Sequence, residues 1–174
     1  VREYSKEPLS IAELATLLHV TQGITEPGKR SAPSAGGRYP IETYIVANNV
    51  AGLESGLYHY LPEENALARM KTGDFSREMA DYCSGQVMCK DAAVVFVWTA
   101  VFERTTDMYG SEGKSMVYIE AGHISENLYL QGNSMGIGVV AIGGFMPELI
   151  DGFLGVDGHH ETTIYINSVG RMIS

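Results

Sequence analysis

Residues 32–40 read Ala-Pro-Ser-Ala-Gly-Gly-Arg-Tyr-Pro and lie within a longer stretch, 25–40, that is rich in Gly, Pro and Ser. This composition contains too many breakers for a helix or a central strand, and it predicts a long loop. Small side chains and free backbone N–H groups would let a flat ligand approach the main chain closely. A solvated connecting loop is the alternative interpretation of the same residues.

A second glycine-containing segment, residues 141–145, reads Ala-Ile-Gly-Gly-Phe. It follows an apolar run, 136–142, that is typical of a buried strand, and it precedes a short helix expected to open near Pro147. Backbone N–H groups at such a strand-to-helix junction can point into a pocket at the end of the strand. On its own, the glycine pair also fits a tight turn.

Hydrophobic spacing predicts the elements around these two segments. Ser10 and Glu13 form a capping-box pattern, which predicts a helix from about 10 to 22. The run 92–100 is continuously apolar and rich in β-branched and aromatic residues, as expected of a central strand buried on both faces. The remaining predicted elements are strands at 43–47, 56–60, 67–70 and 162–170, and a helix at 75–82.

The longest predicted helix covers residues 114–135. Apolar side chains leave it almost no wholly polar face, so we expect a buried helix at a subunit interface. Glu120 and His123 stand three residues apart on it and suggest a metal or acid–base pair, but neither has a partner motif. We therefore expect no metal site, and a histidine buried in a tight hydrogen bond.

Composition limits the classes of function. The chain has 174 residues, of which 45% are hydrophobic, and this predicts a single domain over residues 1–174. A formal net charge of −9 argues against nucleic acid or anionic membrane as partners. No apolar run is long enough to span a bilayer, and the first residues lack a signal-peptide core, so a cytoplasmic location is expected. Cys83 and Cys89 fit neither a zinc site nor a disulfide framework and predict buried structural thiols.

Several segments, taken in order, resemble the nitroreductase superfamily and, within it, the SagB-type dehydrogenase branch. The matching stretches are PLSIAELATLLHVTQGIT, RSAPSAGGRYPIETYIV, GLYHY, VFERT, EAGHISENLYLQGNSMGIGVVAIGGF and the terminal SVGR. This resemblance implies an α+β nitroreductase-like fold with a mixed central sheet flanked by helices. It also implies a homodimer with FMN bound at the subunit interface.

The resemblance assigns the two glycine-containing segments to the flavin. It implies that one subunit packs its first segment on a flavin that is held mainly by the other subunit, through Pro33, Ser34, Ala35 and Gly36. The second segment, Ile142, Gly143 and Gly144, would place backbone donors near the flavin N5 and O4. A donor at N5 would stabilise the reduced flavin as negative charge develops on its ring.

The resemblance also assigns the flavin phosphate to arginines. The family's phosphate site uses an N-terminal cluster of two Arg, a Ser and a further basic residue, together with an Arg near the C-terminus. Arg2 matches the last member of that cluster and Arg171 matches the terminal arginine, whose planar fork suits phosphate. The earlier members would precede Val1, so we expect the first part of the phosphate-binding segment to be absent here. An ordinary surface role is the alternative for each arginine.

The implied activity is a ping-pong cycle. NADH or NADPH would pass a hydride to FMN and leave, and a small electron-poor acceptor such as a nitro compound or quinone would take the electrons. The sequence has no GxGxxG motif, which fits a nicotinamide that visits the flavin and does not reside.

Two alternatives stay open. One is a SagB-like dehydrogenase that oxidises azolines in modified peptides, and the other is a non-catalytic flavin-binding protein. Azoline-oxidising members carry a Lys-Tyr pair where this chain has Met108-Tyr109. Tyr109 is therefore the candidate catalytic residue, and a packed aromatic side chain is the alternative interpretation. Lys114 is the candidate replacement for the missing lysine.

Overall fold

The computed structural model of the chain describes residues 1–173. Its strands are, in chain order, β1 (Leu9–Ser10), β2 (Ile24–Glu26), β3 (Lys29–Arg30), β4 (Ile41–Ala47), β5 (Val50–Ala51), β6 (Gly56–Leu61), β7 (Ala66–Thr72), β8 (Val94–Ala100), β9 (Ile137–Ile142) and β10 (Thr162–Arg171). Its helices are α1 (Ile11–Gln22), α2 (Ser76–Tyr82), α3 (Val87–Asp91), α4 (Glu103–Tyr109), α5 (Gly113–Ser134) and α6 (Pro147–Leu154).

Six strands form the central sheet in the order β7-β6-β4-β8-β10-β9. The strand β8 is central, and all seven of its residues are buried, as its continuous apolar sequence predicts. Its side chains alternate between the two faces of the sheet, with Phe96 and Trp98 on one face and Val95 and Val97 on the other. Both faces therefore need a covering layer of helices.

The two layers of helices have different compositions. On one face, α1 and α5 pack on the sheet through leucine, isoleucine and valine side chains, including Leu14, Leu17, Val117, Ile124 and Leu128. On the other face, α2, α3 and α6 pack through Met79, Cys83, Cys89, Ile150 and Leu154. Both cysteines are free and buried, which agrees with the prediction of structural thiols. The α+β class with helices flanking a sheet is confirmed.

The central sheet is antiparallel, whereas a mixed sheet was expected. All five strand pairs of the six-stranded sheet are antiparallel, and the parallel pairing among residues 1–173 is the short ladder between β1 and β5. The long connection through α4 and α5 brings β9 back in the same direction as β8. Because β10 lies between them and runs the opposite way, each neighbouring pair is antiparallel.

Most predicted elements are present, with ends that lie within two residues of the predicted ones. Ser10 caps α1, with Glu13 completing the capping box. The predicted 25–40 loop is partly wrong, because its beginning forms a hairpin between β2 and β3 and residues 35–37 form a 3-10 turn. The two-residue strands and the short helices α3 and α4 were not predicted, since such short elements have no clear hydrophobic period.

The long helix α5 is buried along one face only. That face carries Val117, Ala121, Ile124 and Leu128. Three large apolar side chains remain exposed on its outer side, namely Tyr118 (56%), Ile119 (59%) and Leu130 (63%). No helix in residues 1–173 combines the length and apolar character needed to cross a membrane.

Candidate functional site

The turn between β9 and α6 presents free backbone donors. In the part of the chain that the structure describes, the N–H groups of Gly143, Gly144 and Phe145 donate no hydrogen bond. A Cβ atom added to Gly143 would meet no atom within 4 Å, so the space beside this backbone is open. The residue before them, Ile142, has a buried side chain and can offer a ligand only its backbone.

Gly143 borders a cleft of about 420 Å³. Aromatic and small side chains line it, which suits a flat, largely apolar ligand. Besides Gly143, its lining residues come from α5 (Tyr118, Ala121, Gly122), from β10 (Ile164, Tyr165) and from the turn itself (Phe145).

The corner between α2 and α3 holds this turn in place. The Gln86 Nε2 donates to the Gly144 carbonyl oxygen at 2.8 Å and to the Cys83 carbonyl oxygen at 2.9 Å. The backbone N–H of Met146 donates to the Tyr82 carbonyl oxygen, also at 2.8 Å. Gln86 thus fixes the peptide that joins Gly144 to Phe145, a role that sequence patterns did not indicate because the partners are 58 residues apart.

The turn at residues 33–36 is held by its own serine. Ser34 Oγ accepts a hydrogen bond from the backbone N–H of Tyr39 at 2.8 Å. Gly36 has a φ of 59°, a conformation that suits glycine. A Cβ atom at Gly36 would lie 2.9 Å from both Met108 Sδ and Tyr109 Oη. The structure therefore brings the candidate residue Tyr109 against this turn, together with the methionine that precedes it.

A second cleft, of about 280 Å³, lies between the 33–36 turn and α5. Its lining consists of Pro33, Ser34, Ala35, Met116, Ile119, Glu120 and His123. Glu120 is only 3% exposed, and its Oε1 has no hydrogen-bond partner in residues 1–173. Burial raises the pKa of Glu120 to about 7, although Ser34 and Arg30 act in the opposite direction.

The expectation for His123 was wrong. Its side chain is exposed, whereas Glu120 is the buried member of the pair. A step of three residues turns the helix by about 300°, which takes His123 from the packed face toward solvent. Residues 1–173 contain no group of three or more His, Cys, Asp or Glu side chains placed to hold a metal ion.

The two clefts lie on opposite flanks of α5. Met116, Glu120 and His123 share one flank, and Tyr118 and Ala121 share the other. At 3.6 residues per turn, the two groups point roughly 150° apart around the helix axis. Within one chain, α5 therefore separates the cleft of Gly143 from the cleft of the 33–36 turn.

The two predicted phosphate-binding arginines differ in their surroundings. Arg171 pairs with Ile137, at the opposite end of β9 from Gly143 and roughly 20 Å from it along the strand. Its Nη2 donates to both carboxylate oxygens of Glu13, at 2.8 and 2.9 Å. Arg2 is exposed and lies two residues before Tyr4, which pairs with Met172 beside Arg171.

The Glu13 carboxylate is stabilised in its charged form. Partial burial alone would raise its pKa, but hydrogen bonds from Ser10 and from the Arg171 guanidinium outweigh burial and lower it. Both partners of this ion pair are 23% exposed.

Comparison with known proteins places the chain in a family. A model of the nitroreductase family matches residues 1–171. The chain belongs to the nitroreductase family. A protein of Methanocaldococcus jannaschii that is named as a nitroreductase is 36% identical over 174 residues, covering 99% of this chain and 86% of that protein. The microcin B17-processing protein McbC of Escherichia coli is 29% identical over 141 residues, covering 76% of this chain and 51% of McbC. The resemblance to the SagB-type branch, which includes McbC, is confirmed.

Solved structures show the same fold. A protein of Anabaena variabilis that is named as a nitroreductase superposes with a TM-score of 0.85 and 31% identity, covering 99% of this nitroreductase-family chain and 36% of its own. The NADPH:FMN oxidoreductase of Vibrio harveyi, complexed with NAD+, has a TM-score of 0.70 at 17% identity, covering all of this chain and 65% of its own. At this low identity, the similarity to the Vibrio harveyi enzyme shows a shared fold only. Family membership supports an oxidoreductase.

Proposed function

We propose that this nitroreductase-family chain binds FMN and works as a homodimeric, nicotinamide-dependent oxidoreductase. The observation that carries the proposal is the set of free N–H groups at Gly143, Gly144 and Phe145, which border an open cleft. Gly143 and Gly144 are exposed and Phe145 is half-buried, so their N–H groups are free to donate to an acceptor-rich ligand in the cleft.

The cleft beside Gly143 fits the ring system of a flavin. The missing side chain at Gly143 lets a flat ring approach the backbone, and Tyr118, Phe145 and Tyr165 offer apolar surface to its faces. Gly143 and Gly144 would hold the polar edge of the ring. FMN bound there would supply reversible hydride transfer, which none of the twenty side chains supplies.

A site that uses both glycine-containing turns needs two copies of the chain. Because α5 separates the turns within one chain, the 33–36 turn of one subunit would complete the cleft beside Gly143 of the other. The outer side of α5 offers a surface for this pairing, with exposed Tyr118, Ile119 and Leu130. Gly122 stands among them with open space around its Cα, and a glycine in a helix suits close approach by another backbone.

The phosphate end of FMN would lie at the far end of β9. Arg2 is free to contact it, whereas Arg171 is already paired with Glu13 and would have to share its guanidinium. Arg171 still has Nη1 only weakly engaged, by the Met135 carbonyl oxygen at 3.4 Å. The residues at the phosphate end therefore fit FMN less closely than the residues around the flavin ring do.

Oxidation of azolines in modified peptides is a second candidate function. The sequence relationship with McbC favours it, and so does the position of the Tyr109 hydroxyl against Gly36. Met108 argues against it, because a thioether neither takes nor relays a proton. Lys114 is exposed at the start of α5, and it is the residue to test as a replacement.

The test is to purify the chain, load it with FMN and record its visible spectrum before and after anaerobic addition of NADH or NADPH. The proposal expects a yellow protein that one nucleotide bleaches and that a quinone or nitro compound re-oxidises. A protein that takes up no FMN would contradict it. A yellow protein that neither nucleotide bleaches would favour the peptide-oxidising alternative, or a flavin-binding protein without this activity.

A further inference from the structure

The strand β10 contains an irregularity beside the proposed flavin cleft. Its register with β8 shifts between Thr163 and Tyr165, so Ile164 is an extra residue between two successive pairs, as in a β-bulge. The adjacent edge strand β9 ends at Ile142, which is paired with Ile166. The bulge therefore lies beyond the end of β9, where β10 pairs with β8 alone among residues 1–173.

The bulge turns two consecutive side chains toward the same cleft. In a regular strand, successive side chains point to opposite faces of the sheet. Ile164 and Tyr165, however, both pack against the core on the α5 face, and both line the cleft of Gly143. The next side chain, Ile166, is back on the α6 face. The bulge therefore adds one apolar side chain to the wall of the cleft without disturbing the strand that follows.

Asp151, on α6, holds the two residues that precede the bulge. Its Oδ1 accepts hydrogen bonds from the Thr163 backbone N–H at 2.7 Å and from the Thr163 hydroxyl at 2.6 Å. Its Oδ2 accepts from the Thr162 hydroxyl at 2.7 Å. Asp151 is 4% exposed and has no ion-pair partner in residues 1–173. A buried carboxylate without a cation is costly, so these three hydrogen bonds are needed to hold it in place.

Asp151 also joins the two walls of the cleft. One wall is the turn with the free N–H groups, residues 143–145, and it leads into α6 at Pro147. The other wall is the bulge. Because Asp151 lies about one turn into α6 and accepts from the start of β10, the helix fixes the position of the bulge relative to the turn.

We propose that Ile164 is the residue that shields the flavin ring from water, and that Asp151 is the positioning residue that holds Ile164 in place. This proposal rests on the proposed function. An apolar cover disfavours the negative charge of a reduced flavin, so it lowers the reduction potential of the bound cofactor. A lower potential makes the cofactor a stronger donor to an electron-poor acceptor.

The first experiment measures FMN affinity by fluorescence quenching, and the reduction potential of bound FMN by titration against a reference dye. Ile164→Ala opens the wall of the cleft, so FMN should bind about tenfold more weakly and its potential should become more positive. Leu67→Ala is the matched control, because Leu67 is half-buried on the same face of the sheet but lies on the distant edge strand β7. It should lose a similar amount of stability in urea and leave affinity and potential unchanged.

The second experiment tests whether Asp151 acts through Ile164. Asp151→Ala leaves Thr162 and Thr163 without their acceptor, so affinity and potential should shift in the same directions as in Ile164→Ala. Asp151→Asn keeps an acceptor oxygen for the Thr163 N–H and should restore most of both quantities. The double variant with Asp151→Ala and Ile164→Ala should match Ile164→Ala, because the displaced side chain is already absent. Glu148→Ala, an exposed change on the same helix, should leave both quantities unaltered.

The outcomes separate this proposal from the proposed function. An unmodified chain that takes up no FMN would overturn both. FMN uptake with a potential that Ile164→Ala does not change would overturn the role of Ile164 and leave the proposed function standing. Shifts in potential that add in the double variant would overturn the role of Asp151. If Asp151→Ala does not fold, Thr163→Val removes one of the three hydrogen bonds and should shift the potential in the same direction, and an unchanged potential would overturn that role.

Discussion

Arg171 donates from Nη2 to both carboxylate oxygens of Glu13, and thereby ties the last residue of β10 to the first turn of α1. The same carboxylate accepts from the Ser10 backbone N–H at 2.8 Å, so one side chain caps the helix and anchors the strand. Resemblance to the family had assigned Arg171 to the flavin phosphate. In the structure this arginine has a structural role that does not depend on phosphate.

Replacing Arg171 with methionine should therefore destabilise the flavin-free chain. The expected loss in the free energy of unfolding is about 1 kcal/mol, because the ion pair is half-buried and hydrogen-bonded. Urea unfolding at pH 7 measures it. Arg2→Met, at an exposed site, is the control and should leave stability unchanged while weakening FMN binding. Equal stability of Arg171→Met and the unmodified chain would contradict the structural role.

The stability lost in Arg171→Met should depend on pH. The folded-state pKa of Glu13 lies below its unfolded value of 4.5, so its contribution is present above pH 4.5 and disappears as pH falls through the lowered value. The difference between the two proteins should therefore be constant from pH 5 to pH 7 and shrink in more acidic solution. Unfolding measured across this range checks it, and a difference that grows on acidification would be inconsistent with this pair.

Glu120 should make the free energy of unfolding depend on pH in the opposite direction. Its folded-state pKa of about 7 lies above its unfolded value of 4.5, so the folded chain loses stability as pH rises between these values. The loss should reach about 3 kcal/mol by pH 8, from roughly 1.4 kcal/mol for each pKa unit between 4.5 and about 7. Glu120→Gln should abolish this slope, and Glu63→Gln should keep it. Thermal or urea unfolding at several pH values provides the measurement, and a slope that survives in Glu120→Gln would have to come from another group.

Gln86 should matter to cofactor binding more than to folding. In Gln86→Met the Gly144 carbonyl loses its donor, so the turn can rotate and the row of free N–H groups loses its alignment. We expect FMN to bind about tenfold more weakly, with a loss of about 1 kcal/mol in stability. Fluorescence quenching of FMN measures the affinity. Lys90→Met, an exposed change on α3, the helix that follows Gln86, should leave both quantities unaltered.

Gly36 and Gly37 form a matched pair of sites. Both have positive φ, 59° and 63°, so alanine at either should cost about 1 kcal/mol through backbone strain. Only at Gly36 would the new methyl group meet Met108 Sδ and Tyr109 Oη, which are flexible ends that can move aside. Gly36→Ala and Gly37→Ala should therefore have equal free energies of unfolding. The turnover of the FMN-loaded chain should be lower in Gly36→Ala than in Gly37→Ala. Equal turnover of the two variants would remove the support for a role of Tyr109.

The sequence predicted those parts of the fold that depend on local pattern. The capping box at Ser10 marks the start of α1, the continuous apolar run 92–100 became β8, and the length of the segment without Pro marked α5. The two glycine-containing turns were located correctly, because Gly and Pro interrupt helices and strands in a recognisable way. Their assignment to a flavin came from the family resemblance and remains a proposal.

Other parts could not be predicted, because they depend on contacts between distant segments. Gln86 reaches Gly144 across 58 residues, and Arg171 reaches Glu13 across 158. The burial of Glu120 and the exposure of His123 depend on which face of α5 meets the sheet. Apolar and polar residues are mixed around this helix, so its sequence does not reveal that face. The strand order that makes the sheet antiparallel follows from the path of the long connection, which sequence does not show.

If two copies of the chain build each flavin site, a dimer that combines two variants unable to bind FMN should regain one site. Gly143→Val fills the open space beside one turn and Ala35→Trp blocks the other, so each variant alone should bind no FMN. Co-expression with two different tags isolates a dimer with one subunit of each kind. In that dimer one site carries both changes and the other carries neither, so we expect one FMN per dimer, measured from the visible spectrum. A mixed dimer without flavin, or a chain that binds FMN as a monomer, would contradict it.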